Sequence, residues 1–263
     1  MDIRIAQALL QFTFLMIGVV YLNFPITVLD LALAIGFSLM VQKFWDRRLE
    51  RPYNWMSALP SALSLLLLLR VTEIWLWPVA ATICISSKFI LRYNKVHLFN
   101  PSALTLLFFL VLGHDYGWVS PGQWGQVSLF CFILSCLGLF MIYKVPTMWV
   151  SLSFISAYLA LYCFRLWFLG DPLDLLMHQF QNAGIWLFTF FMISDPRTAP
   201  MGQKPQIVFG IAIAALAYVL AVHYYLRAPL FYALIAVSLF TPLLRRMVSS
   251  GEFKWQDKLI SKV

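Results

Sequence analysis

The chain has 263 residues, of which 62% are hydrophobic and 11% charged, and a net charge of +8. An ordinary soluble domain carries about 25% charged residues, so this composition, with a mean hydropathy of +0.81, excludes one and points to a bilayer. Phe (23), Trp (10) and Tyr (11) are abundant, which suits lipid-facing and interfacial positions; the positive charge reads as loop bias rather than as a nucleic-acid surface.

Crossing a bilayer as a helix takes roughly 20 apolar residues. In chain order the apolar runs predict ten spans: 5–22, 25–42, 55–69, 74–91, 100–113, 125–143, 146–168, 183–194, 205–225 and 229–246. The fifth and eighth are short, as expected of broken, tilted or partly spanning helices. The first run is long and precedes no small-residue cleavage site, so it reads as a retained span and not as a signal peptide. The predicted class is all-α: one polytopic membrane domain of about ten helices over residues 1–263.

The bases test this topology. With the N-terminus in the cytoplasm, the cytoplasmic segments hold Arg4, Lys43, Arg47, Arg48, Arg51, Lys88, Arg92, Lys95, Lys144, Arg197, Lys204, Arg245, Arg246, Lys254, Lys258 and Lys262. That is 16 of the 19 bases, against only Arg70, Arg165 and Arg227 opposite. Positive charge accumulates on the cytoplasmic side, so both termini are expected there, with 247–263 as a cytoplasmic tail.

The two halves echo each other. "YLNFP" (Tyr21 to Pro25) opens the second span and "YKVP" (Tyr143 to Pro146) the seventh, their prolines 121 residues apart. "VHLFNPSAL" (Val96 to Leu104) opens the fifth and "VHYYLRAPLFYAL" (Val222 to Leu234) the tenth, with prolines 128 apart. Such similar offsets predict a duplicated five-helix unit, 1–113 and 120–246. Five is odd, so the second copy runs inverted, an architecture recurrent in transporters.

Polar residues punctuate this pattern sparingly. Asn100-Pro101 has the form of a helix N-terminus, with Asn as cap and Pro in the first turn. In "FMISDPRTAP" (Phe191 to Pro200), Asp195-Pro196 has the same chemistry ahead of Arg197 and Thr198. Free amides at a helix start can hold an anion such as a cofactor phosphate, and Lys88, Arg92, Arg197 and Lys204 lie toward the same face. The other reading is that these motifs end and cap helices while the bases set topology. Asp30 is the one acid predicted well inside a span, and such carboxylates often serve ion or proton pathways. It also lies close to Pro25, where the interface would wet it. His97 and His223 occupy matching places in the repeat, and Arg165 is expected to snorkel outward.

Cys84, Cys131, Cys136 and Cys163 lie in apolar segments without CxxC spacing and read as packed thiols, with no metal site. No phosphate-binding loop, HExxH, GxSxG or dinucleotide fingerprint is present.

Three pieces in order, "HLFNPSAL" (His97 to Leu104), "FMISDPRTAP" and "IVFGIAIAALAYVL" (Ile207 to Leu220) with "APLFYALIAVSLFTPLL" (Ala228 to Leu244), resemble the RnfD/NqrB family. These are ten-span subunits of the Rnf and sodium-translocating NADH:quinone oxidoreductase complexes, and the short chain looks most like the compact, UnbU-like branch. The resemblance implies electron transport in a bacterial inner membrane, coupled to ion movement, with membrane or peripheral redox partner subunits. It also implies flavin, either FMN or riboflavin. Family members carry FMN covalently on a threonine in an "SGAT"-like motif after the fifth span. Here that loop, "LGHDYGWVSPGQWGQVSL" (Leu112 to Leu129), has no threonine, so the expectation becomes a noncovalent flavin or a quinone. Asn100, Asp195, Arg197, Thr198, Lys88 and Arg92 would hold the flavin, and Asp30 would serve an ion pathway. The rival readings are an inverted-repeat transporter or channel for a small solute or ion, and a scaffold that keeps the fold without redox chemistry.

Overall fold

The structure, a computed structural model, describes residues 3–94, 96–119 and 146–246. The sixth predicted span (125–143), the tail 247–263, Lys95, Lys144, Cys131 and Cys136 lie outside them. The described residues are mostly helical, at 72% helix. Among the described residues, four helices are long and apolar enough to cross a membrane: Arg4–Tyr21, Val28–Arg48, Met148–Leu169 and Gln203–Val222.

In chain order the helices are α1 (Ile3–Tyr21), α2 (Val28–Arg48), α3 (Trp55–Leu68), α4 (Leu76–Ile90), α5 (Pro101–Val111), α6 (Met148–Leu169), α7 (Leu173–Gln181), α8 (Ala183–Leu187), α9 (Gln203–Val222), α10 (Pro229–Ser238) and α11 (Thr241–Arg246). Two short antiparallel ladders join them. β1 (Leu69–Val71) pairs with β4 (Gly117–Val119) in the register Leu69↔Val119, and β2 (Arg92–Tyr93) pairs with β3 (Val96–His97) in the register Arg92↔His97.

Local chemistry sets several boundaries. Thr27 caps α2 in a capping box: its hydroxyl accepts from the Asp30 amide at 3.2 Å, and the Asp30 carboxylate accepts from the Thr27 amide at 2.7 Å. This corrects the placement of Asp30. The helix starts at Val28, later than the apolar run, because the box holds the chain extended at Thr27. Asp30 therefore sits in the first turn and not deep in a span. Its second oxygen accepts from Trp77 Nε1 on α4 at 2.7 Å. At α5, Asn100 accepts from the Ala103 amide at 3.1 Å with Pro101 in the first turn. α6 stops at Gly170, whose φ of 70° suits a residue without Cβ.

α8 is only one turn and a half long and runs into a wider turn, Phe188–Met192, where the Ile193 amide reaches back five residues to the Phe188 carbonyl at 3.0 Å. A widened turn frees backbone groups that hydrocarbon cannot satisfy. Neighbouring side chains satisfy them instead. Ser151 donates to the Thr189 carbonyl at 2.8 Å, Asn100 Nδ2 to the Met192 carbonyl at 3.2 Å, and Thr147 to the Ser194 carbonyl at 2.7 Å. The short eighth apolar run is thus a broken helix sealed inside protein.

Packing relies on small residues, as expected where lipid supplies no hydrophobic drive between helices. On α9, Gly210, Ala214 and Ala217 share one buried face. A Cβ on Gly210 would lie 2.6 Å from the Val150 carbonyl of α6. On α2, Ala34, Ser38, Gln42 and Asp46 recur every four residues and are all buried. The centre is aromatic: Phe14, Phe109, Phe154, Phe188 and Phe209 are fully enclosed.

Candidate functional site

One end of the bundle gathers the polar residues. α1 and α3 begin there, with Arg4 donating to Asn54 Oδ1 at 3.5 Å. α2 and α4 end there: the Asp46 carboxylate accepts from the Asn54 amide at 2.9 Å, and Lys88 Nζ donates to the Ser57 carbonyl at 2.5 Å. The β2–β3 hairpin folds back over this end and carries His97 to Asp195, Nε2 to Oδ2 3.6 Å.

Asp195 organises the turn that follows the broken helix. Its Oδ1 accepts from the Arg197 amide at 3.0 Å, while its carbonyl accepts from the Ala199 amide at 2.9 Å and the Thr198 hydroxyl at 3.3 Å. Arg245 of α11 donates to the Arg197 carbonyl, and to the Ala199 carbonyl at 3.2 Å. Burial pushes the Asp195 carboxyl up, but the His97 ring and the Arg197 amide and guanidinium outweigh it and hold the acid below the ordinary range. Burial drives His97 the other way, below its usual value, against the opposing pull of Asp195. The consistent state is therefore an ionised Asp195 facing a neutral His97 ring at 3.6 Å.

Two cavities meet at this cluster. The inner one, about 100 Å³, is lined by Lys88, His97, Asn100, Asp195 and Arg197 together with serine hydroxyls from α3, α5 and the broken helix. The outer one, about 290 Å³, adds Asp46, Arg51, Tyr53, Trp55, Phe89 and Arg92. Arg4, Met56, Ser57, Lys88, His97 and Arg197 line both. The Arg92 guanidinium lies 4.8 Å from the Phe89 ring centre and donates Nε to the Lys88 carbonyl at 2.6 Å. Burial, then the nearby charges of Arg51 and Arg197, lowers its pKa.

Most residues singled out in the sequence converge here. Lys88, Asn100, Asp195 and Arg197 line the inner cavity, and Lys88, Arg92 and Arg197 the outer. Thr198 is 2% exposed and its hydroxyl is spent on the turn; it lines neither cavity. Asp30 lies at the opposite end, with the start of α2, and His223 ends α9 there too. Sequence reasoning assigned Arg4, Asp46 and Arg51 no binding role, and gave His97 none beyond its match to His223. The one signal available for His97 was its proximity to the Asn100 cap. The others come together only because α1, α2 and α3 end or begin at the same depth. Among the described residues no group of His, Cys, Asp and Glu could hold a metal.

The donor set suits an anionic, phosphate-bearing small molecule. Arginine side chains suit phosphate oxygens, and the Tyr53 and Trp55 rings offer apolar walls. Joined, the cavities reach the ~300–1,000 Å³ of small-molecule sites. No curated protein matches the chain. Residues 94–254, which carry β3, the Asn100 cap, the broken helix and its Asp195 turn, match the NQR2, RnfD, RnfE family. The match covers more than half of the 263 residues, and the chain belongs to this family.

Proposed function

We propose that the chain is an electron-transport subunit of Rnf/Nqr type that holds a flavin noncovalently in the basic cavity. The observation that carries this is the wall shared by the two cavities, where Arg4 and Lys88, from ahead of the segment matched by the family, meet Arg197 and the Asp195 turn within it. Arg51, Arg92 and Arg197 would hold the phosphate, which favours FMN over riboflavin. The aromatic walls would exclude water from the ring, and Lys88 would place a positive charge beside it. The flavin itself would supply the chemistry of taking up and releasing electrons. Redox partner subunits, membrane or peripheral, would donate and receive them.

The same reading keeps ten spans in the bacterial inner membrane, both termini cytoplasmic, as two inverted five-helix units. Packing supports the repeat. α2 packs on α4 in the first half and α6 on α9 in the second, which are the second with the fourth and the seventh with the ninth predicted spans. α2 ends at the polar end of the bundle whereas α6 begins there, as inversion requires.

The test is the gently purified protein. Flavin absorbance, and flavin fluorescence released on denaturation, should be present and should fall in Arg51→Gln and Arg92→Gln. A colourless protein that also fails to take up added FMN refutes the reading. The broken helix beside a cavity favours a second reading, a transporter or channel; solute flux in liposomes without any redox partner would select it.

A further inference from the structure

A third cavity, an apolar groove of about 360 Å³, lies between α1, α2 and α3. Its walls are aliphatic and aromatic, among them Ala8, Leu9, Phe12, Ile35 and Leu63. Three residues, Arg4, Trp55 and Met56, line both this groove and the outer basic cavity. An oily slot therefore opens at one end onto a polar chamber whose lining has five bases, Arg4, Arg51, Lys88, Arg92 and Arg197, against one acid, Asp46.

We propose that groove and chamber together form one site for an anionic phospholipid, with the phosphate headgroup among the bases and one acyl chain in the groove. Three arguments select this occupant. The charge imbalance favours an anionic head, since a neutral one would leave several bases facing each other in a concave, partly desolvated space. Trp55 stands at the junction, 43% exposed, where an indole suits the boundary between headgroup and hydrocarbon. The groove's length also fits: from Arg4 to Phe12, α1 rises about 12 Å, within the ~15 Å half-thickness of a bilayer core. A chain of one leaflet's depth fits, and a much longer isoprenoid tail does not. The headgroup would take the bases proposed above for the flavin phosphate, so phospholipid and FMN compete for the chamber; bound lipid is counted directly, and its displacement or not by added FMN separates failure of this inference from failure of the flavin reading.

The experiment uses the full chain, delipidated in detergent and then titrated with dioleoyl phosphatidylglycerol, dioleoyl phosphatidylcholine, glycerophosphoglycerol and a long-chain quinone. Bound lipid is counted by native mass spectrometry and stability by thermal unfolding. Phosphatidylglycerol should be retained and should raise the melting temperature; phosphatidylcholine and the tail-less headgroup should not. Arg51→Gln should weaken phosphatidylglycerol binding about fivefold, the contribution of one base near an anionic headgroup. Leu9→Trp, at a half-exposed groove position, should block it, while Val20→Trp, on the lipid-facing far end of α1, should leave it intact. Ile35→Trp repeats the groove test from α2 should Leu9→Trp fold poorly. Equal binding of the two phospholipids overturns the proposal. So does full effect of the headgroup alone, preferential occupancy by the quinone, or unchanged binding in both groove variants.

Discussion

Asp195→Ala removes the acceptor that shapes the turn after the broken helix. In the native protein Oδ1 receives the Arg197 amide at 3.0 Å and Oδ2 faces His97 Nε2 at 3.6 Å. The His97 side chain is 10% exposed and that of Asp195 21%, so water can replace these contacts only in part. A buried donor stranded without a partner costs roughly 1–3 kcal/mol. The 3.6 Å contact is too long to count as a second full hydrogen bond, so a destabilisation of about 2 kcal/mol is expected. For a chain of this size that lowers the melting temperature by roughly 4–8 °C. Asp195→Asn keeps the acceptor for the Arg197 amide and gives up the charge, so it should fall between wild type and Ala. The assay is thermal unfolding in detergent, followed by tryptophan fluorescence, on protein stripped of any ligand. An unchanged melting temperature in Asp195→Ala would refute the structural role and leave the acid as a dedicated binding group.

Asn100→Ala should cost about 1–2 kcal/mol through loss of the α5 cap, with further loss from the unpaired Met192 carbonyl, read by the same unfolding assay. Gly210→Ala places a Cβ 2.1 Å from Ser153 Oγ and 2.6 Å from the Val150 carbonyl; the serine can rotate but the backbone cannot, so α6 and α9 must part and stability should drop by about 1–3 kcal/mol. His97 has a folded pKa below its ordinary 6.5, so the unfolded chain binds the proton first. Stability should be flat above pH 6.5 and decline as the pH falls below it, and His97→Gln should remove this step; a step that persists in the variant refutes the assignment. The Asp195 contribution has the same sign but sits lower, present above the ordinary 3.8 and lost as the pH falls through its depressed value. Cysteines introduced at 114–119 should react with an impermeant reagent in intact cells, and those at 195–204 should not; the reverse would invert the topology.

Sequence alone determined the elements whose cause is local. Runs of apolar residues give helices because every backbone group in lipid must be satisfied within its own segment. Asn100-Pro101 announced the start of α5 because a cap needs only neighbours three residues away. The composition fixed the membrane environment, and the order of three short motifs led to the family. What only the tertiary structure decided are the meetings between distant segments. Asp30 reads as an acid inside a span until Thr27 and Trp77 claim it, and Trp77 is 47 residues away. Thr198 reads as a candidate ligand until its hydroxyl turns onto the Asp195 carbonyl. The basic chamber needs Arg4, Arg51, Lys88, Arg92 and Arg197 from segments far apart in the chain. No sequence period records that several helices begin and end at the same depth. That alignment is set by side-chain packing between helices, and it puts the bases of separate loops around one cavity.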